Sequence, residues 1–365
     1  MKRLSFLLLV CALPSTASAQ TSTAMFRSDL RRTGVYEAEG VGRLRGVKWK
    51  FKTGRVVEAW FSSPTISEGV VYVGSDDNNL YALDASTGAL RWKFETGDIV
   101  YSSPAVADGV VYVGSHDGYL YAVDARTGNE RWRFKTGGRV YSSPAVAGGV
   151  VYFGGADTYL YAVEAATGRL SWRFKAGSWV VSSPAVSDGA VYFGSWDSYL
   201  YALDAATGRE RWRFKTGYRV LSSPAVPDAV VYFGSMDGNV YAVDAKTGEQ
   251  KWRFATSGRV RSSPAIRAGT IYVGSDDGCL YALNAGSGAE KWRVTTGSAV
   301  ISSPSLAGGV LYFGSAGGSL YAVDAETGKR RWRFKAPPGW MRSTPAVAGG
   351  SVYFGADDGN LYALR

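Results

Sequence analysis

The only histidine in the chain, His116, is followed directly by Asp117. A histidine beside a carboxylate could act in proton transfer, or could help to bind zinc. Zinc needs three or four His, Cys or carboxylate ligands, and Cys279 is the only cysteine beyond the first 20 residues. A Ser-His-Asp triad would have to use Ser102 or Ser103, which have counterparts throughout the chain. We therefore predict no catalytic residue and no metal site.

The first residues, MKRLSFLLLVCALPSTASAQ, have the pattern of a secretory signal peptide. Lys2 and Arg3 form the basic start, an apolar run covers 4–13, and the small residues Ala17 and Ala19 suit cleavage after 19. A lipoprotein signal would place a small residue before Cys11, where this chain has Val10. We expect a signal peptide over 1–19 and an exported protein, periplasmic or secreted, with no transmembrane segment.

The chain has a formal net charge of +10, and a basic excess can attract nucleic acid or other polyanions. Many of its Lys and Arg residues alternate with aromatic residues in one repeated segment, RWRFKTG and its variants. Cations along an exposed edge strand prevent strand pairing with another molecule. They also form no groove with interleaved base-stacking aromatics, so we predict no nucleic-acid partner.

Internal repetition is the main feature of the sequence. From Trp92 onward, a tryptophan recurs at a fixed step of 40 residues as far as Trp332, and Trp49 precedes this series. The tripeptide Ser-Ser-Pro recurs in step with it, from Ser62 to Ser302, and a final Ser-Thr-Pro begins at Ser343. Eight anchors of each kind indicate eight units.

Each unit contains the pattern of four short strands. Segments such as VVYVGS and LYALDA alternate along the chain, and Asp-Gly turns such as Asp117-Gly118 separate them. The turn Asp124–Gly128 precedes the strand that holds the tryptophan. The fold class is therefore all-β, an eight-bladed β-propeller with four-stranded antiparallel blades. Because the last unit lacks a Trp strand, we expect the Trp49 strand to close the last blade.

This organisation predicts one propeller domain over 46–365, preceded by an N-terminal lead-in segment over 20–45. The repeated tryptophans are predicted to dock neighbouring blades, because each large ring can bury about 150–250 Å². These structural residues are Trp49, Trp92, Trp132, Trp172, Trp212, Trp252, Trp292 and Trp332.

The segment over 82–92 has the pattern A-x-D-x-x-T-G-x-x-x-W, which recurs over 122–132, 202–212, 242–252 and 322–332. Two further copies carry substitutions, Glu164 in one and Asn284 with Ser287 in the other. The pattern resembles the tryptophan-docking repeat of the PQQ-like (quinoprotein-type) β-propeller superfamily. That superfamily includes quinoprotein alcohol dehydrogenases, the assembly lipoprotein BamB and some bacterial sensor domains, so the resemblance implies a fold and several functions.

The enzyme branch of this superfamily implies PQQ held over a tryptophan, beneath a disulfide between adjacent cysteines, with Ca²⁺ and an Asp base. The chain has no Cys-Cys pair, and its regular spacing leaves no long insertion to cover a cofactor. Asp residues recur at the same slots in nearly every unit, so none stands out as a base. We predict no cofactor and no enzymatic activity, and keep a PQQ- and Ca²⁺-dependent oxidoreductase as the alternative.

Two slots vary most between units, namely the loop before Ser-Ser-Pro and the turn after Gly-Ser. Propeller topology places both on one face around the central channel, where ligands commonly bind. We hypothesise that this face binds a protein, a peptide or a small anionic or aromatic ligand, in BamB-like envelope assembly or in sensing. The alternative is that these are ordinary loop residues shielding the channel. The predicted binding residues are Trp60, Tyr101, His116, Arg139, Tyr141, Trp179, Trp196, Arg219, Arg259, Arg261, Trp340 and Arg342. We expect a monomer with a protein or peptide partner in the cell envelope.

Overall fold

The computed structural model describes residues 24–54, 62–336 and 339–365. The described residues form strands and turns, with no helix among them. The predicted signal peptide lies outside this part of the chain. The first strand, β1 (Val47–Lys52), is followed by a series of short strands grouped into sheets of consecutive elements.

The remaining strands fall into eight blades. Blades 1 and 2 contain β2 (Thr65–Ser67), β3 (Val70–Gly74), β4 (Asn79–Asp84), β5 (Leu90–Glu95), β6 (Ala105–Ala107), β7 (Val110–Gly114), β8 (Tyr119–Asp124) and β9 (Glu130–Lys135). Blades 3 and 4 contain β10 (Ala145–Ala147), β11 (Val150–Gly154), β12 (Tyr159–Glu164), β13 (Leu170–Lys175), β14 (Ala185–Ser187), β15 (Ala190–Gly194), β16 (Tyr199–Asp204) and β17 (Glu210–Lys215). Blades 5 and 6 contain β18 (Val230–Gly234), β19 (Asn239–Asp244), β20 (Gln250–Ala255), β21 (Ala265–Arg267), β22 (Thr270–Gly274), β23 (Cys279–Asn284) and β24 (Glu290–Thr295). Blades 7 and 8 contain β25 (Ser305–Ala307), β26 (Val310–Ser315), β27 (Ser319–Asp324), β28 (Arg330–Lys335), β29 (Ala346–Ala348), β30 (Ser351–Ala356) and β31 (Asn360–Leu364).

The predicted eight-bladed propeller is confirmed, including its closure. Blade 8 has the strand order β1-β31-β30-β29, so its outer strand comes from the N-terminal part of the chain. In the antiparallel register, Trp49 pairs with Ala363 and Phe51 pairs with Leu361. Closure by both ends of the chain leaves no blade with an unpaired third strand.

Blade 5 departs from the four-strand pattern at its innermost position. There the inner strand is reduced to a single antiparallel bridge between Ala225 and Tyr232. Pro227 stands where other blades have a residue whose amide can join the sheet. Because proline has no backbone N–H, the ladder cannot extend past this point.

Burial follows the position of each strand within its blade. The second strand of a blade, such as β7, is buried throughout, and its sequence is correspondingly apolar. The outer strand, such as β9, alternates exposed and partly buried residues, with Arg131, Arg133 and Lys135 exposed. The cations therefore lie on the rim of the propeller, along strands that have an open edge.

Except for Trp332, each repeated tryptophan lies against the Asp-x-x-Thr-Gly turn of the following blade, or against a variant of that turn. The indole N–H of Trp92 donates to the carbonyl of Ala125 at 3.0 Å. Gly128 in that turn has φ +76°, and a Cβ there would lie 2.8 Å from the Trp92 ring. The glycine is thus required both by its backbone conformation and by the ring that covers it.

The last tryptophan has a different acceptor, because the outer strand of blade 8 is β1 and among the described residues no Asp-x-x-Thr-Gly turn connects it to β31. The Trp332 indole donates to the carbonyl of Val41 at 2.7 Å. Val41 therefore substitutes for the missing turn of blade 8. Among the described residues, the indole nitrogen of Trp292 has no hydrogen-bond partner.

The Ser-Ser-Pro segments form two rings around the channel, in which hydrogen bonds link most pairs of neighbouring blades. In the first ring, the hydroxyl of one blade's first serine donates to the carbonyl of the next, as from Ser102 to Ser142 at 3.0 Å. In the second ring, the amide of a second serine donates to the next blade's hydroxyl, as from Ser63 to Ser103 at 2.9 Å. This ring closes where the Thr344 amide donates to Ser63. The repeated tripeptide therefore links neighbouring blades through hydrogen bonds.

The central channel is filled by the segment 24–36, a placement that no repeat or motif in the sequence predicts. Its carbonyls accept amides from inner-strand positions of successive blades, as Leu30 does from Val186 and Gly34 does from Leu306. Arg27 and Arg32 extend from this segment into the channel and are fully buried. We call residues 24–36 the plug.

Candidate functional site

The two variable slots are held together on one face of the propeller. In each of several blades, the amide of the residue after Gly-Ser donates to a carbonyl in the loop that precedes Ser-Ser-Pro. His116 donates in this way to Ile99 at 2.9 Å, and Trp196 donates to Trp179 at 3.0 Å. The same backbone bond joins Asp276 to Arg259 at 2.9 Å. The backbone is constant while the side chains differ, and we call this surface the mouth face.

One side of the mouth face carries a continuous series of ring contacts across three blades. His116 lies between Tyr101 and Tyr141, with ring centroids 4.5 and 4.3 Å away. Tyr141 stacks on Trp179 at 6.3 Å, and Trp179 stacks on Trp196 at 4.6 Å. We call these five residues, together with Arg219, the aromatic arc.

The arc ends in a cation and remains partly open to solvent. The Arg219 guanidinium lies 4.3 Å from the centre of the Trp196 ring, within cation–π range. Trp179 is 38% exposed, and Tyr218 beside Arg219 is 43% exposed. These exposed aromatic side chains form an accessible apolar surface.

His116 is held neutral by its surroundings. It is buried among aromatic rings, and its Nε2 atom has no hydrogen-bond partner in the described part of the chain. Burial, with a smaller effect of the Arg139 charge, lowers the pKa of His116 to about 4. At neutral pH the imidazole is therefore an uncharged ring within the arc.

The geometry does not couple His116 to the groups suggested by its sequence neighbours. Asp117 accepts bonds from the Tyr121 hydroxyl at 2.7 Å and the Gly97 amide at 2.7 Å, so it is a turn residue. The Ser102 hydroxyl donates to the next blade, and Ser103 accepts the Ser63 amide. No hydrogen bond of a triad joins these serines to the Nε2 atom of His116 among the described residues.

The opposite side of the mouth face is charged. Arg261 forms a two-pronged ion pair with Asp276, at 3.1 and 2.8 Å. Arg342 lies over the Trp340 ring at 4.3 Å. Burial raises the pKa of Asp357, whose carboxylate accepts the Trp340 amide at 2.8 Å. We call this side the charged arc.

A cavity of about 200 Å³ lies between the two arcs, at the centre of the mouth face. Phe26 of the plug contributes to its floor, so the channel is closed below this point. The second serines of the blades surround it, and Tyr101, Arg261 and Arg342 line its rim. Val181, Leu221 and Ile301 supply apolar wall on the remaining blades.

The structure thus brings Tyr101, His116, Tyr141, Trp179, Trp196 and Arg219 into one connected surface. Arg139 reaches the Tyr141 hydroxyl at 3.4 Å and is otherwise exposed, as is Arg259. Trp60 lies outside the described residues. Sequence reasoning placed no plug residue at the mouth, since Phe26 lies outside the repeats and carries no repeat signal.

The described residues contain no group of three or more His, Cys, Asp or Glu side chains placed to hold a metal ion. Cys279 is a buried thiol whose sulfur lies 3.5 Å from the Thr295 hydroxyl. Within the same residues, no helix has the length and apolar character needed to cross a membrane.

Comparison with known proteins adds a family and a set of structural relatives. A family model described as "Outer membrane protein assembly factor BamB" matches residues 42–139, 116–218, 197–306 and 297–365. No curated protein sequence matches the chain. Among solved structures, BamB from Moraxella catarrhalis is 19% identical, with a TM-score of 0.74, over 88% of this chain and 97% of that one.

Two other solved structures have the same fold and different descriptions. The quinohemoprotein alcohol dehydrogenase from Comamonas testosteroni is 17% identical, with a TM-score of 0.80, over 93% of this chain and 80% of that one. The computationally designed protein Ika8 is 20% identical, with a TM-score of 0.76, over 85% of this chain and 97% of that one. Likeness at this level of identity concerns the fold alone, so the site must decide the function.

Proposed function

Because the chain belongs to the family of the outer membrane protein assembly factor BamB, we propose that it is a non-catalytic scaffold of the cell envelope. Its mouth face binds an extended segment of a partner protein. Together with the predicted signal peptide, the family supports export and a periplasmic location. The role of such a scaffold is to hold a partner, so it needs a surface and no reacting group.

The aromatic arc is the observation that carries this proposal. Trp, Tyr and Arg are the residue types that most often dominate binding energy at protein interfaces. Here Trp179, Trp196 and Arg219 are stacked on one another, which fixes their orientations before any partner arrives. A preorganised aromatic surface loses little side-chain entropy on binding.

An extended segment fits the arc better than a compact ligand does. The arc follows the curved edge of the mouth across blades 2 to 5, and its ring contacts form a chain from Tyr101 to Arg219. A segment laid along it could place successive side chains against successive rings. The partially exposed Trp179 and Tyr218 offer the apolar contact area.

Capture of partners by an arc variant tests the proposal. The variant carries Trp179→Ala, Trp196→Ala and Arg219→Ala, and the control carries Leu90→Ala and Leu170→Ala. Leu90 and Leu170 are exposed apolar residues, at 48% and 46% against 38% for Trp179, and they lie at the start of outer strands away from the mouth. Crosslinking in the native envelope should recover a partner with the wild type and the control and lose it with the arc variant. Identical captures from all three folded proteins would contradict the proposal.

The alternative is a quinoprotein-type oxidoreductase that uses PQQ and Ca²⁺. Calcium takes six to eight oxygen ligands, usually with several carboxylates. Around the mouth, Asp276 is paired with Arg261 and Asp357 with the Trp340 amide, and the described residues offer no cluster of three acidic or imidazole ligands. These side chains do not fit the cofactor pair.

The two functions are separated by one cofactor experiment. PQQ and Ca²⁺ are added to the purified protein while its absorbance and dye-linked alcohol oxidation are followed. The scaffold proposal predicts neither saturable binding nor turnover. Saturable PQQ binding with turnover would establish the oxidoreductase instead.

A further inference from the structure

The hydroxyl groups of the second serines in the Ser-Ser-Pro segments have a hydrogen-bond donor that the fold does not use. Each of their hydroxyl oxygens accepts an amide from the preceding blade, as Ser143 and Ser183 do at 2.9 Å. In the part of the chain that the structure describes, none of these hydroxyls donates a hydrogen bond. They line the mouth cavity, so each can direct its O–H toward the cavity centre. The serines are Ser63, Ser103, Ser143, Ser183, Ser223, Ser263 and Ser303.

Two buried cations lie directly beneath this ring. Arg32 donates to the carbonyls of Ser143 and Pro144, at 3.0 and 3.2 Å, and Arg27 donates to the carbonyls of Ser263 and Pro264. Their acceptors are neutral backbone oxygens, so the charges are solvated by dipoles and not neutralised by contact with an acid. Desolvation lowers the pKa of Arg27 to about 10 and that of Arg32 to about 9.

The same contacts make the ring unsuitable for a cation. A bound cation would need oxygen lone pairs, yet the Ser143 and Ser263 carbonyls already accept N–H groups from the plug. Carbonyls of first serines accept the hydroxyls of neighbouring blades, as Ser142 does. What remains toward the cavity is a set of O–H donors above positive charge, which is an environment for an anion.

The rim determines the size and shape of the anion. The cavity volume of about 200 Å³ corresponds to roughly seven water molecules, which suits one carboxylate with a short stem. Arg261 and Arg342 stand on the rim, where Asp276 and Asp357 partly balance them. Phe26 and the aliphatic wall accept the methylene groups of the stem.

We propose that the mouth cavity binds a carboxylate side chain of the partner segment, held by the second-serine hydroxyls above Arg27 and Arg32 and by the rim arginines Arg261 and Arg342. This assignment rests on the proposed function and adds to it a chemical requirement for the partner. The segment has an acidic residue for the cavity next to an apolar or aromatic residue for the arc. An acidic residue so bound fixes the position of the segment on the face, because the cavity lies at a single point.

Two matched dipeptides test the requirement for charge. Acetyl-Trp-Glu-amide and acetyl-Trp-Gln-amide have nearly the same shape and differ in the carboxylate. By calorimetric titration at low salt, the Glu peptide should bind roughly tenfold or more tightly, because hydrogen bonds to charged groups are the stronger ones. Equal affinity of the two peptides, or absence of binding by both, would overturn the carboxylate site.

A free dicarboxylate distinguishes the source of the carboxylate. Glutarate has the acidic stem without the aromatic group, so it should bind more weakly than acetyl-Trp-Glu-amide. Glutarate binding as tight as that of the peptide would assign the cavity to small free acids and overturn its assignment to a partner segment.

Variants separate this inference from the proposed function. The double variant Arg261→Gln with Arg342→Gln should remove most of the preference for Glu over Gln and leave the Gln peptide unchanged. The charge-matched control carries Arg91→Gln and Arg131→Gln at exposed turn ion pairs and should behave as the wild type. If the rim variant keeps the full preference, the cavity is not the carboxylate site. If the wild type binds both peptides with equal affinity, and the arc variant binds both more weakly, the proposed function is supported and the carboxylate site is contradicted.

Discussion

The contacts between blades and the mouth face use the same backbone in opposite ways. At most junctions between blades, equivalent residues make equivalent contacts: the Trp92 indole donates to the next blade, and the Ser103 hydroxyl accepts from the preceding one. On the mouth face, a repeated backbone bond carries His116 in one blade and Trp196 in another. Repetition is required where every blade meets the next, and variation is possible where side chains meet solvent.

The difference shows where stability and binding are located in this propeller. Loss of one docking residue removes packing that no other side chain replaces, because each junction is buried. Loss of one mouth residue leaves the strands and both serine rings intact. Changes between blades should therefore affect folding, and changes on the mouth face should affect recognition.

The largest effect is expected from opening the ring. Deletion of residues 48–53 removes most of β1 and leaves the edge of β31 unpaired. An exposed strand edge promotes association with other molecules, so we expect aggregation and a lost cooperative melt. Size-exclusion chromatography and thermal unfolding measure this. A monomeric deletion variant with an unchanged melting temperature would contradict it.

Replacing a tryptophan by alanine should lower the free energy of unfolding much more between blades than on the mouth face. Trp252 is buried and donates to the Ala285 carbonyl at 2.8 Å, so Trp252→Ala should lower the free energy of unfolding by ~3–5 kcal/mol. Trp179→Ala, at the exposed mouth, should cost less than about 1 kcal/mol. Denaturant unfolding of both variants measures the two values. Similar costs would mean that the mouth is part of the folding core.

A pair of glycines tests the docking contact itself. Gly128 and Gly109 have φ +76° and +71°, but a Cβ on Gly128 would meet the Trp92 ring while a Cβ on Gly109 would meet nothing within 4 Å. Gly109→Ala should cost about 1–2 kcal/mol from backbone strain alone. Gly128→Ala should cost about 1–3 kcal/mol more, since the ring must move. If denaturant unfolding shows the same loss of stability for both variants, the Trp92 ring is not packed tightly against Gly128.

The smallest effect is expected from His116 and depends on pH. Its folded-state pKa is lowered from 6.5 to about 4, so the unfolded chain takes up the proton first as the pH falls. The stability that the neutral imidazole contributes is thus fully present above pH 6.5 and declines toward pH 4. Compared with His116→Gln, the wild type should lose on the order of 1–2 kcal/mol between pH 7 and pH 5. Parallel stability curves for the two proteins would show that His116 is not buried.

Much of the fold follows from local pattern, and the Trp49 strand illustrates why. The number of units and the absent Trp strand at the end of the chain leave one partner for residues around Trp49, and β1 pairs with β31 accordingly. The mouth residues were also predictable as a set, because slots that differ between repeats can be compared within one chain. Their order around the arc was not predictable, since Trp179 contacts both Tyr141 of one blade and Trp196 of its own.

Local sequence by itself determined the repeated part of this protein: strand, turn and docking residue are all encoded within each 40-residue unit. Only the tertiary structure determined which residues fill the central channel. The plug lies outside the repeats, and the burial of Arg27 and Arg32 depends on carbonyls from blades more than 100 residues away. Eight serines or threonines far apart in the chain become one ring only when the propeller closes. The contacts of the plug leave no periodic signal in the sequence, because the carbonyls around Arg27 and Arg32 are brought together by closure of the propeller and not by a repeat spacing.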